Sequence, residues 1–295
     1  MVEMTTKMKT FKQYSKDSKE DKGYYINKDG VAVILEPIGN HRINRSKKKN
    51  IKESYKPNVE SGAPMEIELR RHGGRDMYAG SEHFEKLHKE IAKNTGDVTK
   101  ETKEAINNYS NGSYNLNNHL IHKHMVKHGK PVPKDHWKHL GQAKKDKNGN
   151  KTPYKDNIDH WEKEHSHLMK GFRKAGTHVK LFAGVSARTH NALKDSKDGV
   201  IEHVSYASVT PKLSIAKAFA ENKKSDKSNT HYYNVYHTHP DDEVLHMQPH
   251  SNMKEEEEFG IKPGSHHKHF KTTQHTDEDG NTHIFNHFKS HNESK

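Results

Sequence analysis

Apolar residues recur at helix spacing in the first half of the chain and in short alternating runs in the second. Phe84, Leu87 and Ile91 predict a helix from about Ser81. Asp97 or Thr99 caps a second, carrying Ala105, Ile106 and Tyr109. After a turn at Asn111-Gly112, Leu116, Leu120, Ile121 and Met125 mark a third helix, which ends at Gly129. Lys144 to Lys155 is polar and reads as a loop. Asn157 then caps a fourth helix, with Ile158, Trp161, Leu168, Met169 and Phe172 on one face. Past Gly176 the period shortens. Strands are expected at Val179–Val185, Val204–Ser208, Tyr232–His237, Glu243–Met247 and Glu256–Ile261, with a helix through Ala216 and Phe219. His269–Thr273 and Thr282–Phe288 form a closing hairpin around Asp279-Gly280-Asn281. Helices followed by strands predict an α+β fold.

One early segment departs from that order. Gly23 to Leu35 reads as a β-hairpin turning at Asn27-Lys28-Asp29-Gly30. A lone hairpin is only marginally stable, so it should dock on something. Residues 37–80 hold Pro, Gly, Asn and a basic cluster, Arg45 to Lys49, and read as loop or linker. The expected organisation is a basic N-terminal region over 1–80 and a domain over 81–295, helical over 81–176 and β-rich over 177–295.

Composition narrows the partners. With 29% hydrophobic and 31% charged residues in 295, the core is small for the length, and a net charge of +12 favours acidic partners. The 28 histidines, spread from His41 to His291, are expected mostly at the surface. With no cysteine, disulfides, thiolate metal sites and a Cys nucleophile are excluded. No apolar run reaches membrane-spanning length and no apolar signal core opens the chain, so neither membrane nor secretion is expected.

The unusual acidic stretch in this basic chain is Lys254-Glu255-Glu256-Glu257-Glu258-Phe259-Gly260-Ile261-Lys262-Pro263-Gly264. Strand alternation puts Glu256 and Glu258 on one face, roughly 7 Å apart, and Glu257 on the other. Such a pair suits a cationic or cation-forming substrate. A solvated charge run is the plain alternative.

Three segments together resemble the arginine-type mono-ADP-ribosyltransferases, phage-encoded Alt and Mod enzymes among them, over residues of about 100 to 290. The helical segment, two aromatics around a short turn and then Asn and Leu, is Tyr109-Ser-Asn-Gly-Ser-Tyr114-Asn-Leu-Asn117-Asn-His-Leu120. The family's aromatic-x-Ser-Thr-Ser is Tyr206-Ala207-Ser208-Val209-Thr210, with Ala216 and Phe219 downstream. Its Glu-x-Glu is Glu256-Glu257-Glu258, with Ser251 ahead and Phe259 and Gly264 behind; Glu255 and Glu257 would be the pair in the other register. The resemblance implies N-terminal helices followed by a mixed two-sheet β core, NAD as the ADP-ribose donor, and arginine of a host protein as acceptor. It implies that Glu258 stabilises the oxocarbenium ion as nicotinamide leaves, that Glu256 positions or deprotonates the acceptor, and that Ser208 orders the site and contacts NAD. Tyr206 packs beneath, Thr210 completes the motif, and the turn at Gln248 to Lys254 faces the target. The family's first motif is not matched: Ala183, in Leu181-Phe182-Ala183-Gly184-Val185, stands at the position of the Arg that holds the diphosphate. Arg188 and Lys180 are the candidate substitutes. A phage enzyme of this kind acts in the host cytoplasm or travels in the virion. The basic surface fits nucleic acid or targets associated with it, such as RNA polymerase or ribosomes.

Two other readings use the same residues. Val235-Tyr236-His237-Thr238-His239-Pro240 resembles the histidine pair of JAMM-type zinc isopeptidases. The Asp ligand those enzymes place three residues after a Ser is Lys254 here, counted from Ser251. His266, His267 and His269 hold a metal only adventitiously. The other reading is a transferase fold kept for binding alone, which has no need of Glu258.

Overall fold

The computed structural model describes residues 24–35, 98–130, 154–222, 229–277 and 279–291, together with Lys89 and Lys93. The helix expected from Ser81 lies outside them apart from those two lysines, as do the Arg45–Lys49 cluster and the Lys144–Lys155 loop, save for Tyr154 and Lys155.

The described fold is mixed α and β, with two sheets, and it opens on strands. β1 (Tyr24–Ile26) and β2 (Ala32–Ile34) form the expected hairpin, which docks by pairing β2 in parallel with β5 (Val200–His203). The expected order of N-terminal helices followed by a β core is therefore corrected. Ala32, Val33 and Ile34 are all buried, so the hairpin's apolar side chains are satisfied only as part of the main sheet. That sheet has the order β1-β2-β5-β10-β11-β7-β4, with β4 at Val179–Val185, β7 at Thr230–Thr238, β10 at Ser265–Thr276 and β11 at Thr282–Ser290. A second sheet runs β3-β8-β9-β6: Arg173–Lys174, Glu243–His246, Phe259–Ile261 and Ala207–Val209.

Among the described residues, three helices precede β3. α1 (Lys100–Gly112) is capped by Thr99, whose hydroxyl accepts from the Thr102 amide at 3.3 Å. α2 (Tyr114–Lys127) follows after one residue, and α3 (Tyr154–Met169) packs on both. Ile106, Tyr109, Leu116, Trp161, Leu168 and Tyr206 form their shared core. Burying each such apolar side chain contributes about 1.5–3 kcal/mol. The sequence pattern missed α4 (Ala187–Asp195), a short helix capped by Ser186. α5 (Leu213–Asn222) is the expected helix through Ala216 and Phe219.

Two joints set the cleft described below. Phe182 of β4 and Thr210 exchange backbone hydrogen bonds at 2.7 and 2.9 Å, which ties the two sheets together. Gly184 lets β4 approach α5: an added Cβ would stand 2.2 Å from the Ala216 oxygen and 2.4 Å from the Ala220 nitrogen. Both are backbone atoms, so the helix would have to move. Gly184→Ala is expected to destabilise the protein by about 1–3 kcal/mol, read by chemical denaturation. An unchanged midpoint would mean that α5 slides freely.

Candidate active site

Where the two sheets join, an open cleft of about 360 Å³, mouth included, is lined by Phe182, Ala183 and Gly184 of β4, by Ser208, Val209 and Thr210, by Ile215, Ala216 and Phe219 of α5, and by Glu256 and Glu258. Apolar walls with a few convergent polar groups are the usual makeup of a ligand site.

Glu258 is almost fully buried, and its carboxyl accepts a hydrogen bond from the Ser208 hydroxyl. Burial pushes its pKa up to about 7; the Ser208 bond opposes this, and the Glu256 charge adds to it. The backbone is fixed as well, because the Glu258 carbonyl accepts the amides of Met247 and Gln248 at 3.0 and 3.2 Å. Ser208 is held from below. The Tyr109 hydroxyl lies 3.4 Å from its Oγ, the Asn117 Nδ2 donates to that phenol at 3.1 Å, and the Asn117 Oδ1 accepts the Tyr206 amide at 3.2 Å. Burial, with the Glu258 charge nearby, raises the Tyr109 pKa well above the ordinary phenol range, so it remains a donor. Tyr206 is enclosed between Phe172, stacked at 6.1 Å, and the edge of Tyr109, and its hydroxyl meets His165 Nδ1 at 2.8 Å. A row of hydrogen bonds thus runs from Asn117 on α2 to Glu258 in the cleft.

The acidic run is not a strand. Lys254–Glu256 is a turn of 3-10 helix, Glu257 sits in the left-handed region at φ 47, and β9 begins only at Phe259. The strand expected over Glu256–Ile261 is corrected to its last three residues. Glu256 and Glu258 nevertheless both reach the cleft, and Glu257 turns away, because the kink does what alternation would have done. Left-handed backbone costs a non-glycine residue roughly 1–3 kcal/mol, so something must hold it. The Glu257 carboxylate lies 2.5 Å from Lys212 Nζ, two residues past Thr210, in a largely buried pair. This pair latches the acidic turn to the Ser208–Thr210 strand. Lys212→Met is expected to cost on the order of 2–4 kcal/mol, and Lys212→Arg to recover most of it, in thermal melts. Equal melts for all three proteins would remove the latch.

The other residues that the sequence singled out are less tightly grouped. Thr210 lines the cleft, and its hydroxyl accepts the Lys212 amide at 3.1 Å. Arg188 lies in the first turn of α4, outside the cleft lining, and Lys180 lies two residues before Phe182 on β4. The turn before the acidic run is braced on α1: Asn252 bonds Asn107 at 2.9 and 3.3 Å and Asn111 at 3.1 Å. Asn117, singled out with Tyr109 in the helical segment of the resemblance, joins Tyr109 and Tyr206 beneath Ser208. Nothing local marked Lys212.

The geometry does not favour the zinc reading. His237 Nε2 meets His287 Nδ1 at 3.0 Å, and His239 is exposed beside Asp241. Among the described residues no group of three His, Asp or Glu could hold a metal.

No family model and no curated protein matches the sequence. Similarity is found to solved structures, by structure rather than by sequence. The chain is similar to Vis, an ADP-ribosyltransferase toxin from Vibrio splendidus, at 12% identity and TM-score 0.45, covering 71% of this chain and 82% of that one. Plx2a, an ADP-ribosyltransferase toxin from Paenibacillus larvae, gives 12% and 0.45, covering 70% and 96%. BECa, an ADP-ribosylating toxin of a Clostridium perfringens binary enterotoxin solved with NADH, gives 14% and 0.46, covering 70% and 47%.

Proposed function

We propose that this protein is a mono-ADP-ribosyltransferase that takes ADP-ribose from NAD and attaches it to arginine of a host protein. The observation that carries the reading is the buried Glu258 carboxyl held by Ser208 on the floor of a cleft, with Glu256 beside it. The motif order in the sequence supports the same assignment. NAD supplies a glycosidic bond whose cleavage leaves positive charge on the sugar. A carboxylate fixed in an apolar-walled cleft stabilises such charge far better than one in water. Ser208, held by Tyr109 and Asn117, keeps the Glu258 carboxyl from turning. Glu256, nearer the mouth, orients the acceptor guanidinium and takes its proton.

The cleft would take the sugar and nicotinamide end of the donor against Glu258 and Ser208. The diphosphate would meet Ala183, which offers no charge, and weak donor binding is expected for that reason. The test is transfer of label from NAD to proteins of a bacterial lysate by the purified chain, followed by an arginine-specific ADP-ribosyl hydrolase. Transfer with hydrolase release supports the full reading. Transfer that resists the hydrolase moves the acceptor to another side chain. No transfer at any NAD concentration sinks the reading.

A further inference from the structure

On one face of the seven-stranded sheet, four residues stand abreast on four neighbouring strands. Lys180 of β4 pairs with His237 of β7, His237 with Lys289 of β11, and Lys289 with Lys268 of β10. Paired residues project from the same face, and strands lie about 4.8 Å apart, so this rung spans roughly 14 Å. Lys289 and Lys268 are like charges set directly opposite one another, which is destabilising on a sheet. A fold that lines them up gains from an anion that lies across them.

A second feature lies beside the rung. The β10–β11 register shifts between His269 and Lys271. The bulge brings Phe270 onto the same face as Lys271, which pairs with His287. The Phe270 ring contacts His237 at 5.2 Å and His287 at 6.1 Å, yet it is 49% exposed. Only Phe270 and Val126 are large apolar side chains left exposed among the described residues. The local field is positive: burial drives the His287 pKa down to about 3, and His237, Lys271, Lys180 and His269 all push the same way.

We propose that this rung and Phe270 form a platform for single-stranded nucleic acid, with phosphates across Lys180, Lys289, Lys268 and Lys271 and an unpaired base on the Phe270 ring. An aromatic face beside a cationic track is the arrangement that binds single strands with little sequence preference. A duplex keeps its bases stacked internally and has no use for Phe270. An acidic peptide would use the lysines without the ring. The net charge of +12 adds long-range attraction. Lys180 lies two residues from Phe182 on the same strand face, about 7 Å along, so the platform runs up to the cleft. The inference does not depend on the transferase reading.

The test is fluorescence anisotropy of the full chain with a labelled 20-nucleotide oligo-dT, its duplex with oligo-dA, and poly-Glu, over a salt series. Single-strand binding is expected to be the tightest. Phe270→Ala should weaken it about 5- to 100-fold, and Phe270→Trp should restore it. The triple variant Lys180→Gln, Lys268→Gln and Lys289→Gln should flatten the salt slope by about 2. All these positions are at least partly exposed, and matching thermal melts confirm intact folds. Variants that bind the oligo-dT as the native chain does overturn the proposal. So does a duplex or poly-Glu bound as tightly as the single strand.

Discussion

Glu258→Gln is expected to yield a folded protein that melts higher than the native chain at pH 8 and transfers ADP-ribose at least about 100-fold more slowly. Both effects come from burial. The folded-state pKa of Glu258 is raised to about 7, against an ordinary value of 4.5. Below about pH 4.5 the group is neutral in both states and costs nothing. As pH rises from there to about 7 the unfolded chain ionises it and the folded chain does not, so stability falls. Above 7 the loss is complete, on the order of 3 kcal/mol. Glutamine still accepts the Ser208 hydrogen bond and carries no charge, so it escapes the loss. The gain in melting temperature should therefore be present at pH 8 and gone at pH 4.5. The negative charge that would stabilise the developing positive charge on the donor sugar is missing from the variant at every pH. In the native chain, transfer should rise between pH 6 and 8 as the carboxyl ionises. A variant less stable than the native chain at pH 8 would mean that the carboxylate is satisfied where it lies. A variant that transfers normally would remove Glu258 from the chemistry.

The second large effect is early acid unfolding. The sequence pattern placed the histidines mostly at the surface, but nine are buried among the described residues, several of them stacked on one another. Burial lowers the pKa of His203 to about 4, aided by the His266 charge, and that of His287 to about 3. His267 is pushed well below its ordinary value by burial and by His203 and His266. His203 and His267 lie edge to face at 5.3 Å against Tyr236, and Glu202, 3.7 Å from His266, is the near carboxylate. A histidine depressed in the folded state takes up its proton first in the unfolded state. Stability is therefore full above about pH 6.5 and lost as pH falls toward 4. By pH 5 His203 and His287 each cost about 2 kcal/mol. Together they remove about 4, a large share of what many domains have in total, and His267 acts in the same direction. Circular dichroism should show unfolding near pH 5, and His203→Gln or His287→Gln should move the midpoint down. A midpoint below pH 3.5, or one that neither variant shifts, would mean that the sheet accepts protonated rings.

What the sequence made legible were features with a local cause. The bounds of β4 could be read because Val179–Val185 is a nearly continuous apolar run. The Thr99 cap and the face carrying Ala105, Ile106 and Tyr109 marked α1. Ser208, Glu256 and Glu258 were found as motif residues, and they do meet in one cleft. The misses have distant causes. Glu257 adopts its turn because Lys212, 45 positions earlier, is there to receive it. The hairpin belongs to the main sheet because of β5, which no pattern near Tyr24 announces. α4 escaped because Ala187–Asp195 reads as polar, though Ser186 stood where a cap should.

The pairing of Ala32 with Ile201 also bears on how the chain is made. A ribosome adding roughly 5–20 residues each second reaches β5 some 10–30 s after it has finished β2. For that interval Ala32, Val33 and Ile34 have β1 on one side and no strand to join on the other. The finished protein hides this edge, but the nascent one displays it, so yield in cells should depend on chaperones that shield the hairpin until residue 201 emerges.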